Sequence, residues 1–325
     1  RLSILDTSTK GSQPMSVDER FWIIYNGEVY NYKELRKELI DKNYKFFSNT
    51  DTEVILNAYK EWGVDCFEKF NGEWALAILD KKENNLIICR DGIGYKPCYI
   101  FENNNYFAFS SEIKTFASLE QLEFSSSNLG INNLTLQSTC NTIFKNIKIL
   151  RHGRLFKINL DSFEKNYLRW DYPLKKLPKI NSGYRENVDE FYSLLYKATK
   201  IRLNSDVKVG TSLSGGLDSS AIFSLLNLIE KNELNSGYNL DLNPLIIDYQ
   251  GMKTKNDAVN LANKYKKDYK ILEMATFEYE KNKNLLISLE TSEEFYLQKL
   301  LYESQKERGI KVSIDGHGAD EFLYY

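Results

Sequence analysis

Ser214-Gly215-Gly216-Leu217-Asp218-Ser219-Ser220 lies where an apolar run through Val207, Val209 and Leu213 gives way to helical spacing at Ile222, Leu225, Leu226 and Ile229. The stretch reads as strand, tight glycine loop, helix. Two adjacent glycines let backbone N–H groups approach an anion, three hydroxyls add donors, and a helix amino end carries about half a positive charge. A phosphate or pyrophosphate suits such a loop. The common phosphate loop places a lysine after its last glycine, whereas Leu217 and Asp218 stand here. An acid beside bound phosphates implies a metal, Mg²⁺ by its preference for oxygen ligands.

On these residues the loop resembles that of the ATP-pyrophosphatase superfamily, whose members cut ATP between the α and β phosphates to adenylylate a substrate. The C-terminal part supports such a fold. A helical period begins at Glu186, with Val188, Phe191, Leu194, Leu195, Ala198 and Ile201 expected to face inward. After the loop come an apolar strand over 244–249, a helix carrying Ala258, Leu261, Ala262 and Tyr265, a strand over 269–274, helices across 278–308 and a strand over 310–314. That alternation predicts an α/β doubly wound parallel sheet with its ligand at the strands' carboxyl ends.

The N-terminal part reads differently. Residues 21–30 form an apolar strand ending in Asn26-Gly27-Glu28; helices follow with Leu35 and Leu39, then with Val54, Ile55, Ala58, Tyr59 and Trp62, on their inner faces. From residue 70 to 111, four β-rich runs separated by turn residues predict antiparallel strands in a layered α+β domain. Domain boundaries are expected at 1–170 and 186–325. The intervening 171–185, with Pro173, Pro178, Lys175 and Lys176, is the linker.

The order of motifs is more informative still. Arg1-Leu2-Ser3-Ile4, Gln13-Pro14-Met15, Asn26 to Asn31, Asp51-Thr52-Glu53, Phe70-Asn71-Gly72, Arg90 to Pro97 and Asp315-Gly316-His317-Gly318-Ala319-Asp320-Glu321 follow one another as in glutamine-hydrolysing asparagine synthetases. The resemblance covers nearly the whole chain. It implies a first domain like the N-terminal nucleophile hydrolases, an αββα sandwich whose N-terminal cysteine attacks the glutamine amide. That cysteine would precede Arg1, and the chain, which also stops soon after a glycine loop, is expected to be part of a larger protein.

The resemblance also implies roles. Arg1 would pair with the glutamine carboxylate, Glu28 and Asp51 would take its ammonium group, and Asn26 and Gly27 would form the oxyanion hole. ATP would be bound by Leu213, Ser214, Gly215, Gly216, Leu217, Asp218, Ser219, Ser220, Ile247, Asp315 and Gly316, with Asp218 and Asp320 on Mg²⁺. His317 stands where the family has glutamate or glutamine and is a candidate for the chemistry at the acyl carbon. The expected function is asparagine synthesis from aspartate, glutamine and ATP. Open alternatives are a relative that amidates another carboxylate, such as a sugar acid or peptide, or closes a ring, and a non-catalytic homologue.

Composition narrows the partners. With 43 Lys and Arg against 45 Asp and Glu, the net charge is −2, which offers nothing to neutralise a nucleic-acid backbone. No stretch reads as membrane-spanning or as a signal peptide, so a cytoplasmic enzyme acting on small molecules is expected, and a homodimer is an assembly the resemblance allows. Cys66, Cys89, Cys98 and Cys140 are spaced as reduced core thiols, and with His152 and His317 they supply no zinc-like ligand pattern.

Overall fold

A computed structural model describes residues 1–119, 121–125, 139–171, 183–233, 237–248, 254–273 and 296–319. Contacts divide the chain into two compact units, Arg1–Lys179 and Ile180–Tyr325. The expected linker residues 172–182 lie outside the described ones.

The first unit begins with β1 (Met15–Ser16), β2 (Phe21–Val29), α1 (Tyr32–Asp41), α2 (Asp51–Trp62), β3 (Gly72–Asp80), β4 (Asn85–Arg90), β5 (Tyr99–Glu102) and β6 (Phe107–Ser110). It closes with β7 (Ile147–Ile149), β8 (Arg154–Asn159) and β9 (Lys165–Arg169). Six strands form one antiparallel sheet in the order β1-β2-β3-β4-β8-β9, and three form a second, β6-β5-β7. Alternation along β3 explains how they stack. Trp74, Leu76 and Ile78 join the core under α1 and α2, whereas Ala75 and Ala77 face a second core containing Ile88, Phe156, Cys98 and Ile100 from both sheets.

On the far side of the smaller sheet, Phe101 and Ile147 pack with Ile113 and Phe116 of a 3₁₀ turn, Ile113–Ser118. The layers are helices, sheet, sheet and this short turn, the αββα order with its outermost layer reduced among the described residues. Thr50 caps α2 by accepting from the Glu53 N–H at 3.2 Å, and Glu53, fully buried, accepts from the N–H groups of Phe47 and Ser48.

The second unit contains α3 (Tyr184–Ile201), β10 (Val209–Ser212), α4 (Leu217–Asn232), β11 (Leu240–Asp248), α5 (Lys255–Lys264), β12 (Lys270–Glu273), α6 (Tyr296–Glu307) and β13 (Val312–Ser313). Its four strands pair in parallel in the order β12-β11-β10-β13. The chain therefore steps outward from β10 on one side and returns for β13 on the other. The loops after β10 and β13 flank the reversal, where open α/β sheets bind ligands.

Two expectations need correction. β11 starts at Leu240 rather than Pro244, because a register slip admits the proline: Gly210 pairs with Asp241, but Ser212 pairs with Leu245. Arg308 accommodates the slip by donating to the Asn243 carbonyl and pairing with Asp241, both at 2.8 Å. On α3, Val188, Phe191 and Leu194 are exposed rather than inward; among the described residues, the helix reaches the core below α4 through Tyr196 in its last turns. Of the helices expected across 278–308, residues 278–295 lie outside the described ones.

Gly27 has φ +153°, and a β-carbon there would run into the Glu73 carbonyl and approach the Trp74 α-carbon within 2.6 Å. Gly63, at φ +57°, faces open space. We expect Gly27→Ala to cost roughly 3 kcal/mol through backbone displacement, against about 1 kcal/mol for Gly63→Ala through conformation alone. Denaturant unfolding of both variants checks this; equal losses would contradict the steric account.

Candidate functional site

In the first unit, the end of β2 and the start of α2 converge. Asp51 Oδ2 accepts from the Val29 N–H at 3.0 Å and from the Tyr25 hydroxyl at 2.7 Å, joining the helix to the strand that carries Asn26, Gly27 and Glu28. Gln13 Oε1 accepts from the Tyr25 N–H at 2.7 Å and its amide nitrogen reaches Thr52 Oγ1 at 3.4 Å. Arg1 arrives at the same place, since its guanidinium and the Thr50 side chain both border Gly11. It donates to the carbonyls of Leu5, Asp6 and Ser8. The structure thus brings Arg1, Asn26, Gly27, Glu28 and Asp51 to one locality.

Ser111 and Glu73, which no sequence motif marked, complete this locality. Asn26 Nδ2 donates to Ser111 Oγ at 3.1 Å, and Glu28 lies directly opposite Glu73 in the β2–β3 register. Glu73 accepts from the Tyr30 hydroxyl at 2.9 Å and pairs with Lys96 at 3.5 Å. Lys96 is placed by Asp91, a buried carboxylate that accepts from five backbone N–H groups, those of Trp74, Ile93, Gly94, Tyr95 and Lys96, at 2.5–3.1 Å.

Burial pushes the Asp51 carboxyl up to about 6, although the hydrogen bonds from Val29 and Tyr25 oppose the rise. Burial also pushes Cys66 and Cys89 far above the usual thiol range and Cys98 to about 12, so these three are not activated thiolates. Cys140 is half-buried rather than a core thiol.

In the second unit, Leu213 is buried at the end of β10, and Gly215, at φ +83°, lies against the Thr254 carbonyl and the Ala258 nitrogen at the start of α5. Thr254 Oγ1 donates to the Ser214 carbonyl at 2.6 Å, and the hydroxyls of Ser214 and Ser219 share a hydrogen bond at 2.8 Å across the loop. Gly216 is the α4 cap, with no side chain competing for the helix's first N–H groups, and Leu217 is 85% exposed. Gly316 packs against this turn. A β-carbon there would approach Ser219 N at 2.6 Å and the Asp218 carbonyl carbon at 2.7 Å, so only glycine permits the two loops to meet.

Asp315 Oδ1 accepts from the N–H and hydroxyl of Ser212 at 3.1 and 2.5 Å, tying the end of β13 to the end of β10. The Asp218 carboxylate is half-buried and makes no hydrogen bond or ion pair among the described residues. Ile247 lies near the end of β11, opposite Leu272. His317 is exposed, with its Nε2 2.7 Å from the Gln298 amide nitrogen. Asp320 and residues 290–295 lie outside the described residues.

The raised Asp51 carboxyl gives a testable linkage. The folded chain binds that proton more tightly than the unfolded one, so the contribution is fully present below pH about 4 and is lost as pH rises through about 6. Relative to Asp51→Asn, the wild type should lose on the order of 3 kcal/mol across that window. Unfolding free energies from pH 4 to 7 check it; parallel curves would contradict a buried, protonated Asp51.

A profile of the glutamine amidotransferase domain matches residues 1–169, and one of asparagine synthase matches residues 190–324. A putative asparagine synthetase (glutamine-hydrolyzing) 2 of Methanocaldococcus jannaschii is 38% identical over 248 residues, 70% of this chain and 47% of the relative. Asparagine synthetase (glutamine-hydrolyzing) 2 of Bacillus subtilis is 31% identical over 353 residues, 99% of this chain and 45% of that protein. A protein of Gibberella zeae named amidase chry2 is 31% identical over 255 residues, 75% of this chain and 36% of the relative. The chain spans less than half the length of each of these relatives. The two matched domains, in this order and over nearly the whole sequence, place the chain in the glutamine-hydrolysing asparagine synthetase family.

Proposed function

We propose that this chain is part of a ligase that releases ammonia from glutamine in its first unit and, in its second, uses ATP to adenylylate aspartate, yielding asparagine, AMP and pyrophosphate. The observation that carries the reading is Gly316 seated against the first turn of α4, which joins two glycine loops at the point where the parallel sheet reverses. A carboxylate oxygen attacks the α-phosphorus and the bond to the bridging oxygen breaks, releasing pyrophosphate. Ammonia then adds to the acyl carbon, loses a proton, and AMP departs with the former carboxylate oxygen.

The residues present suit these tasks. Ser214, Ser219, Ser220 and the first N–H groups of α4 would receive the pyrophosphate, while Leu213, Gly215, Gly216, Leu217, Ile247, Asp315 and Gly316 would shape the nucleotide site. A Mg²⁺ arriving on ATP needs only one or two protein carboxylates, and Asp218, without a protein partner among the described residues, fits as one. Asp320 would be the other. The ion, when bound, would neutralise charge on the departing pyrophosphate.

In the first unit, Arg1, Glu28 and Asp51 would hold the charged end of glutamine, and Asn26 and Gly27 would stabilise the oxyanion. In this reading the attacking thiol belongs to an N-terminal cysteine outside residues 1–325. A second reading keeps the chemistry and changes the acceptor to another carboxylate. It is favoured by the relative named as an amidase and by His317 in the second loop.

The test is ATP–pyrophosphate exchange by the full-length protein with aspartate and with a panel of other carboxylates. Asp218→Ala should reduce exchange to background without unfolding the protein. Exchange at the wild-type rate in that variant would contradict the assigned site, and exchange with another acid but not aspartate would select the second reading.

A further inference from the structure

Gln298, Tyr302 and Gln305 are spaced four and three apart on α6, the interval that keeps side chains on one face of a helix. Opposite them runs the chain leaving β13, where Ser313 and Asp315 are spaced by two, the interval that keeps side chains on one side of an extended chain, and His317 follows in the turn after Gly316. The two segments meet rung by rung. Gln305 Nε2 donates to Ser313 Oγ at 2.8 Å, the Tyr302 hydroxyl donates to Asp315 Oδ2 at 3.4 Å, and Gln298 Nε2 meets His317 Nε2 at 2.7 Å. Ser313 Oγ donates onward to Asp315 Oδ2 at 2.9 Å, and Asp315 Oδ1 receives Ser212 from β10. The ladder has a buried foot at Gln305, 2% exposed, and an exposed tip at His317.

The tip rung decides what His317 can do. An amide nitrogen only donates, so the geometry with Gln298 Nε2 facing the ring assigns His317 Nε2 as the acceptor and the ring proton to Nδ1. An imidazole held in this way offers a donor at its remaining nitrogen.

We propose that this face of α6 positions the second glycine loop, and that Gln298 holds His317 as a neutral Nδ1–H donor to an anionic oxygen of ATP or of the acyl-adenylate. His317 is then a ligand for negative charge and not the base that takes a proton from ammonia. The identity of the anion rests on the adenylylation reading; the ladder and the tautomer do not.

The test is ¹⁵N NMR of the full-length protein labelled at histidine, with His317→Gln used to assign the His317 signals. At a pH where the ring is neutral, the wild type should carry its proton on Nδ1. Gln298→Glu, which can only accept, should move it to Nε2. A proton on Nε2 in the wild type, or no change in Gln298→Glu, would overturn the proposal. In pyrophosphate exchange, Gln298→Leu and Gln298→Glu should each lower kcat about 10- to 100-fold, with no further loss when combined with His317→Gln. Losses that add in the double variants would overturn the link between Gln298 and His317. If the wild type shows no pyrophosphate exchange that depends on a carboxylate, the adenylylation reading fails, and the NMR result alone decides the ladder.

Discussion

The contact between Gly316 and the first turn of α4 is the constraint on which the second unit's site depends. Its parallel strands present two loops at their carboxyl ends, and a side chain at residue 316 would hold them apart. With glycine there, the loop that carries Asp315 meets the amino end of α4, beside Asp218 and the linked hydroxyls of Ser214 and Ser219. Asp315 is committed to the scaffold by Ser212, whereas Asp218 has no such commitment among the described residues. That difference between two nearby acids separates a residue that builds the site from one available to a ligand.

The first unit uses the same device for a different end. Gly27 and Gly72 bring β2 and β3 together at the end of the ladder that carries Asn26 and Glu28, and Asp51 joins that strand to α2. Keeping Asp51 in so dry a place raises its affinity for a proton. A bound ammonium group would favour its ionised form, so the same burial links folding, protonation and the proposed glutamine binding.

Much of this was legible where chemistry is local. The phosphate loop announced itself through paired glycines and hydroxyls between an apolar strand and a helix, and the Val54, Ile55 and Ala58 stripe marked α2. Burial of α3 was not legible, because periodicity reports an apolar face without saying which turns meet a core; Phe191 and Leu194 have the right spacing and stay exposed. Nor was Ser111, nor were the hydrogen-bond partners of Gln13 and Asp91, which are set by sheet register and loop closure. The ladder on α6 joins a helical face to a strand end and the turn after it, and their alignment appears only when the helix lies along the β13 chain.

The central claim is that the carboxylate is activated as an adenylate. Its most direct measurement follows oxygen. Full-length protein is supplied with ATP, ammonia and aspartate labelled with ¹⁸O in its side-chain carboxylate, and the phosphorus products are analysed by mass spectrometry. Attack on the α-phosphorus predicts one labelled oxygen in AMP and none in pyrophosphate. Label in inorganic phosphate, formed together with ADP, would mean activation at the γ-phosphorus and would contradict the account.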